Sequence, residues 1–366
     1  MSGSLPPDAL HFPASARPFL EPYLPPLSQQ EPTPANIDRQ NARSRPFTTL
    51  TFATSLDSAL SLAPGVRTAL SGPQSKAMTH YLRSRHQAIL IGVGTANADD
   101  PGLNCRIAGT DGYKPKTGDE SPKPDPVIRT LATKAHSSDP ELKQLMKAVA
   151  MGQATSEQLQ AFQVHIDEAQ AVKDTELLAS VRGSQGILQQ PRPIVIDPNA
   201  RWEFYENSKI FSLVRQSKGK APFVIISKNC TPSQNKKELL EKHGGKFIPI
   251  ETVPSENGHP RFNWNDILHL LATQENIQSI MIEGGGSIIN SILSEPEYSA
   301  AVDSVIVTIA PTWLGQGGVV VSPQRRVDAS GYPIPASRLT DVRWHPFGED
   351  VVLLGRLLKS PYTDVI

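Results

Sequence analysis

The sequence predicts a three-layer α/β domain on a mixed, mostly parallel sheet, and three observations predict it. Short apolar runs at 88–91, 193–196 and 279–282 read as strands buried on both faces. Helical patterns alternate with them, as parallel crossovers require. At the C-terminus two β candidates, 339–344 and 351–357, follow one another with no helix between, so the sheet should finish in an antiparallel hairpin.

In chain order, residues 1–45 carry Pro6, Pro7, Pro13, Pro18, Pro22, Pro25, Pro26, Pro32 and Pro34 without a sustained period, and read as a mostly disordered or loosely docked arm. The folded part starts at Pro46 with a β-rich run ending at Ser55-Leu56-Asp57. Locally, Asp57 reads as a turn or cap acid. Next comes a helix, with Ser71 and Gln74 in capping-box spacing and Pro73 in its first turn. Its buried stripe is Ala77, Met78, Tyr81 and Leu82; Arg83 lies beside that stripe, so it is not generic surface charge.

The strand at 88–91 runs into Gly92 and Gly94, and a short loop then offers Thr95, Asp99 and Arg106. From 107 to 190 the α/β rhythm stops, and the segment reads as a loop and helical insertion with no legible chemistry. It resumes with strands at 193–197, 222–227 and 247–250, a helix at 236–243 stopped by Gly244-Gly245, and a helix capped by Asn263. The strand at 279–282 then leads into Glu283 and three glycines before a helix carrying Ile288, Ile289, Ile292 and Leu293. Glycines at a helix N-terminus leave unhindered amides that suit a phosphate or pyrophosphate. Together with the 92–106 turn, this predicts a ligand crevice outside the carboxyl ends of the strands.

Composition limits the alternatives. The 366 residues are ample for a core at 38% hydrophobic content, but 33 prolines are too many for one compact domain, so part of the chain is linker or insertion. Lys+Arg and Asp+Glu both number 36, so no global field recruits nucleic acid or an anionic membrane. No apolar run approaches the ~20 residues of a membrane helix, and the N-terminus lacks a signal core. Asp8, Glu21 and Glu31 argue against an acid-poor presequence. Only Cys105 and Cys230 are present, too few for a disulfide framework or a thiolate metal site, which points to the reducing cytoplasm.

Three blocks in one order carry more. Leu82-Arg-Ser-Arg-His-Gln-Ala-Ile-Leu-Ile-Gly-Val-Gly-Thr-Ala-Asn-Ala-Asp-Asp-Pro-Gly-Leu-Asn-Cys-Arg106, Met281-Ile-Glu-Gly-Gly-Gly286 and Val307-Thr-Ile-Ala-Pro-Thr-Trp-Leu-Gly-Gln-Gly317 resemble the riboflavin-pathway pyrimidine reductases. The resemblance is closest to their fungal branch, which acts on 2,5-diamino-6-ribosylamino-4(3H)-pyrimidinone 5′-phosphate, and covers about 46–106 and 190–358. It implies a dihydrofolate-reductase-like fold, a homodimer, and NADPH-dependent reduction of the ribosylamino chain to a ribitylamino chain. By resemblance Thr95 and Asp99 contact NADPH, and Gly284, Gly285, Gly286 and Ser287 cradle its phosphates. Arg83, Leu103, Arg106 and Glu283 contact the substrate, the arginines being suited to its phosphate. The implied reaction brings a hydride to the imine carbon of the ring-opened ribosylamine, and a proton from Glu283, Asp57 or a water to its nitrogen.

The resemblance also has departures. Ser58 follows Asp57 where the family often has glycine. Segment 107–190 stands in place of a shorter connection. Ser227, Lys228 and Asn229 offer donors for the 2′-phosphate by position alone. The deaminase motif often fused to these reductases is absent. Two rival readings are a pterin or folate reductase on the same fold and a non-catalytic nucleotide-binding scaffold.

Overall fold

A computed structural model describes residues 5–26, 44–114, 190–254, 260–328 and 330–358. Nine strands form one sheet: β1 (Phe47–Thr54), β2 (Ala88–Gly92), β3 (Arg192–Ile196), β4 (Phe223–Ser227), β5 (Lys246–Ile250), β6 (Ser279–Gly284), β7 (Ser304–Ile309), β8 (Leu339–Phe347) and β9 (Asp350–Leu357). Their order is β8-β9-β7-β1-β6-β2-β3-β4-β5. Neighbours among β1 to β7 are parallel, while β9 runs antiparallel to both β7 and β8. The mostly parallel sheet with its C-terminal hairpin is therefore the one expected.

Register decides which side chains share a face. Leu50 and Leu90 both lie opposite Ile282, and Thr49 and Ile89 opposite Met281. Below the first set pack α5 (Trp264–Thr273) and α6 (Gly286–Ser294), through Ile267, Leu268 and Leu271 and through Ile288, Ile289 and Ile292. On the other face α1 (Pro73–Arg85) lays Met78, Tyr81 and Leu82 over Met281, Ile306 and Leu354. Alongside it, α3 (Lys209–Arg215) and α4 (Gln234–Lys242) place Phe211 and Leu240 over Ile89, Ile91 and Val224. Helices on both faces of one sheet make three layers.

Four local expectations are corrected. Residues 5–26 do not hang loosely: Phe12, Leu20, Tyr23 and Leu24 are at most 4% exposed and share one core with Met78, Tyr81 and Leu82 of α1. Ser71 does not cap α1; the cap position is Gly72, and Asp350 of β9 accepts from the Gly72 amide at 2.9 Å and from Ser75 Oγ at 2.6 Å. A carboxylate from another element thus does the work of the expected capping box. Residues after β2 form a short helix, α2 (Val93–Asp99), rather than a loop. Finally, residues 107–114 and 190 belong with the described domain: Ile107 and Tyr113 are buried, and Gln190 bonds both the amide and the carbonyl of Cys105 at 2.8 Å. The helical patterns expected at 139–166, and residues 1–4 and 27–43 of the arm, lie outside the described residues.

Candidate active site

Strands β1, β6 and β2 are neighbours, so their carboxyl ends bring Ser55-Leu56-Asp57, the Glu283 turn and α2 to one edge. Alternation along β6 puts Glu283 on the same face as Met281, the α1 face. There Arg83, from the last turn of α1, clasps it: Nε and NH2 donate to the two carboxylate oxygens at 2.6 Å each. The third arm, NH1, donates to the Asn104 carbonyl at 3.0 Å. Burial works against the Arg83 charge, but Glu283 outweighs it and raises the guanidinium pKa. The two residues expected as separate substrate contacts are thus one bidentate pair, and each Glu283 oxygen keeps a lone pair for another donor.

Arg106 stands differently. Its backbone amide donates to His80 Nδ1 at 3.1 Å, and its side chain reaches His80 Nε2 and the Asp8 carbonyl only at 3.4 Å. A neutral imidazole has one acceptor nitrogen, so the backbone amide takes it and the guanidinium contact is poor. His80 is neutral: burial, then the charges of Arg83, Arg106 and Lys76, push its pKa down to about 2. Arg106 is therefore the arginine of the pair with donors to spare. Leu103, buried at φ +45, turns the chain between α2 and this cluster.

The glycine run sits beside it. Gly284 has φ +98, a conformation that favours glycine, and the Gly284–Gly285 peptide is cis. A Cβ on Gly285 would lie 3.0 Å from Thr95 Oγ1, and one on Gly286 would lie 2.5 Å from Val319 Cγ1. No side chain caps α6, whose first amides have no intrahelical acceptor. At the end of α2, Asp99 Oδ1 is buried with no hydrogen-bond partner in the described structure. Thr95 and the glycines thus form a second group, with Ser287 exposed at its rim and Asp99 one helical turn beyond Thr95.

Asp57 belongs to neither group. It accepts from Ser55 Oγ, and from the Leu314 and Gly315 amides at 3.1 and 2.7 Å. Those donors, Ser55 first, hold its carboxyl down to about 2. The ionised carboxylate ties the loop after β1 to the loop after β7. Ser58 takes φ +61, the conformation for which the family's glycine is suited. Of the candidate 2′-phosphate donors, Lys228 pairs with Glu251 at 2.8 Å and Ser227 Oγ accepts from the Asn229 amide at 3.3 Å. A cavity of about 420 Å³ lies on the α6 face, lined by Phe52, Leu293, Val305, Val307 and Leu339, and touches none of these groups. We place the site at the strand ends because the polar groups converge there and the cavity is apolar. Two polar residues that the sequence does not single out, His80 and Asn104, also stand here, Asn104 within the Leu82–Arg106 stretch.

Fold and site together define a class: a three-layer α/β protein on a mostly parallel sheet, with polar groups converging at the carboxyl ends of its strands. The family model described as the RibD C-terminal domain matches residues 46–353, and the chain belongs to that family. It is 34% identical to the 2,5-diamino-6-ribosylamino-4(3H)-pyrimidinone 5′-phosphate reductase of Debaryomyces hansenii, over 94% of this chain and 96% of that one. To the reductase of the same name from Saccharomyces cerevisiae it is 30% identical, over 93% and 94%. Among solved structures, the Saccharomyces riboflavin biosynthesis reductase Rib7 superposes with a TM-score of 0.55 at 26% identity, covering 93% of this chain and 99% of that one.

Proposed function

We propose that this chain reduces 2,5-diamino-6-ribosylamino-4(3H)-pyrimidinone 5′-phosphate to its ribitylamino form with NADPH, as a cytoplasmic homodimer. The observation that carries the reading is Glu283, held bidentate by Arg83 beside an uncapped glycine helix start. The fungal reductases similar to it along nearly the whole chain act, by name, on this substrate.

The residues present fit a nicotinamide dinucleotide. The amides of Gly285, Gly286 and Ser287 hold its pyrophosphate, Thr95 lies against the same backbone, and the unpartnered Asp99 oxygen takes a donor from it. Bound there, NADPH supplies the hydride that reduces the imine carbon of the opened ribosylamine. Arg83 fixes the rotamer of Glu283, whose remaining lone pairs receive the amino and ring N–H groups of the pyrimidinone. Arg106 takes the 5′-phosphate with the donors that His80 and Asp8 leave unsaturated, and Leu103 turns the chain toward it. With Asp57 committed to its anchor and the Glu283 carboxylate to Arg83 and the pyrimidinone N–H groups, the proton for the amine comes from a water that Glu283 orders. Val342 and Trp344, exposed on edge strand β8 at 41% and 61%, support self-association.

The test follows NADPH absorbance as protein meets the pyrimidine, generated in situ by a GTP cyclohydrolase of matching type. Pyrimidine-dependent oxidation that Arg106→Ala weakens through the KM of the pyrimidine supports the proposal. NADPH binding without oxidation favours the scaffold reading, and turnover of dihydrofolate instead favours the folate reading.

A further inference from the structure

Asp8 lies in the proline-rich arm, far in sequence from every motif, yet it touches both arginine systems. Its carboxylate accepts from Tyr113 Oη at 2.9 Å, and that hydroxyl accepts from Asn104 Nδ2 at 3.2 Å. Asn104 in turn presents the carbonyl that holds Arg83 NH1 at 3.0 Å, and Arg83 holds Glu283. On a second path the Asp8 carbonyl faces Arg106 NH1 at 3.4 Å. Two residues on, the arm pairs with the Arg106 segment as a strand would: the Leu10 amide donates to the Arg106 carbonyl at 2.8 Å, and the Ala108 amide to the Leu10 carbonyl at 3.0 Å. The Asp8 carboxylate also stands 3.8 Å from Lys218 Nζ, and the Lys218 carbonyl accepts from Asn104 Nδ2 at 3.0 Å.

We propose that Asp8 is a positioning residue of the substrate pocket, setting Arg83 through Tyr113 and Asn104 and setting Arg106 through its own backbone. The inference rests on the reading of Arg83 and Arg106 as substrate-binding residues. Two features favour it over simple attachment of the arm. First, the arm already has its apolar anchor in Phe12, Leu20, Tyr23 and Leu24, none more than 4% exposed, so the polar chain is not needed to hold it down. Second, Tyr113 and Asn104 are almost fully buried, and a buried polar chain has a defined geometry because each member must satisfy the next. Removing the carboxylate frees the Tyr113 hydroxyl to turn, and the Asn104 amide with it. The Asn104 backbone carbonyl that aims Arg83 is then held only by Gln190, which bonds the Cys105 amide of the same peptide at 2.8 Å, and by the Lys218 contact of the Asn104 side chain.

The experiment uses the full chain in the NADPH-oxidation assay, with pyrimidine KM, NADPH KM, kcat and Tm measured for each variant. Asp8→Ala should raise the pyrimidine KM about tenfold, the scale of one lost hydrogen bond to a charged group, with NADPH KM, kcat and Tm little changed. Asp8→Asn keeps an acceptor for Tyr113 and should recover most of that loss. Tyr113→Phe should reproduce Asp8→Ala, and the double variant should be no worse than either single one. A pyrimidine KM unchanged in Asp8→Ala, while Arg106→Ala still raises it, overturns the role of Asp8 alone. Additive single effects, or a fall in Tm with both KM values and kcat shifting together, also overturn it, since that is the pattern of general destabilisation. If Arg106→Ala leaves the pyrimidine KM unchanged, the reading beneath the inference fails instead.

Discussion

Glu283 and Asp57 are both carboxylates just past strand ends, and their surroundings give them opposite uses. Asp57 spends its lone pairs on a hydroxyl and two amides, whereas Glu283 spends half of them on Arg83. Glu283→Gln keeps the shape but removes the charge and half of the acceptor capacity, so turnover should fall by about 100-fold, within the general acid–base range. NADPH affinity, measured by fluorescence, should stay within a few-fold. Full activity in this variant would end the assignment.

Acid stability is a second residue-scale outcome. Burial lowers the pKa of His86 from 6.5 to about 4 and, with its cationic neighbours, that of His80 from 6.5 to about 2. Both folded values lie below the unfolded one, so as pH falls through 6.5 the unfolded chain takes up protons first and stability declines. The slope is up to about 1.4 kcal/mol per pH unit for each ring. It persists to about pH 4 for His86 and lower for His80, and Asp57 adds a loss below about pH 4 as its carboxylate is protonated. Urea midpoints between pH 7 and 4.5 should fall steadily, and His86→Gln should flatten the curve.

At the scale of the element, the turn from β6 into α6 shows how one glycine run serves packing and binding together. Gly284 is needed for its φ of +98, Gly286 because Val319 occupies the space of a Cβ, and Gly285 because Thr95 does. Gly286→Ala should therefore cost about 1–3 kcal/mol by overpacking. It should also weaken NADPH through the displaced amides, both readable from a thermal shift with and without cofactor. A variant as stable and as tight as the parent would show that the segment around Val319 yields freely. The start of α1 makes a related point: local spacing promised a capping box at Ser71 and Gln74, but Asp350, distant in sequence, won the position. Capping signals are local, and they lose to a better-placed carboxylate from another element.

At the scale of the whole molecule, the arm over 5–26 turns from tail into core. Its four buried apolar side chains, at ~1.5–3 kcal/mol each, account for roughly 6–12 kcal/mol as an upper figure, comparable with the total stability of a domain. A chain lacking residues 1–26 should be insoluble, or should bind ANS with its near-UV circular dichroism lost. A truncated chain that unfolds cooperatively at the parental Tm would refute this. Self-association belongs to the same scale: Trp344→Glu should shift the sedimenting species from dimer to monomer if β8 forms the contact.

Period and punctuation made much of this protein legible in the chain alone. Apolar runs of strand length, separated by helical stripes and closed by a final pair of β candidates, determined the layers and the hairpin, because burial on both faces leaves parallel strands no other pattern. Glycines after β6 marked the helix start, because few other residues permit its backbone. Tertiary structure alone decided which polar groups meet. Nothing local announces that Arg83 will clasp Glu283 across 200 residues of chain, that Asp57 will be taken up by the amides of Leu314 and Gly315, or that Asp8 will reach Tyr113. The physical reason is range: periodicity and turn chemistry act over a few residues, whereas a hydrogen bond needs its partner within about 3 Å, and only the order and register of the strands bring such partners together.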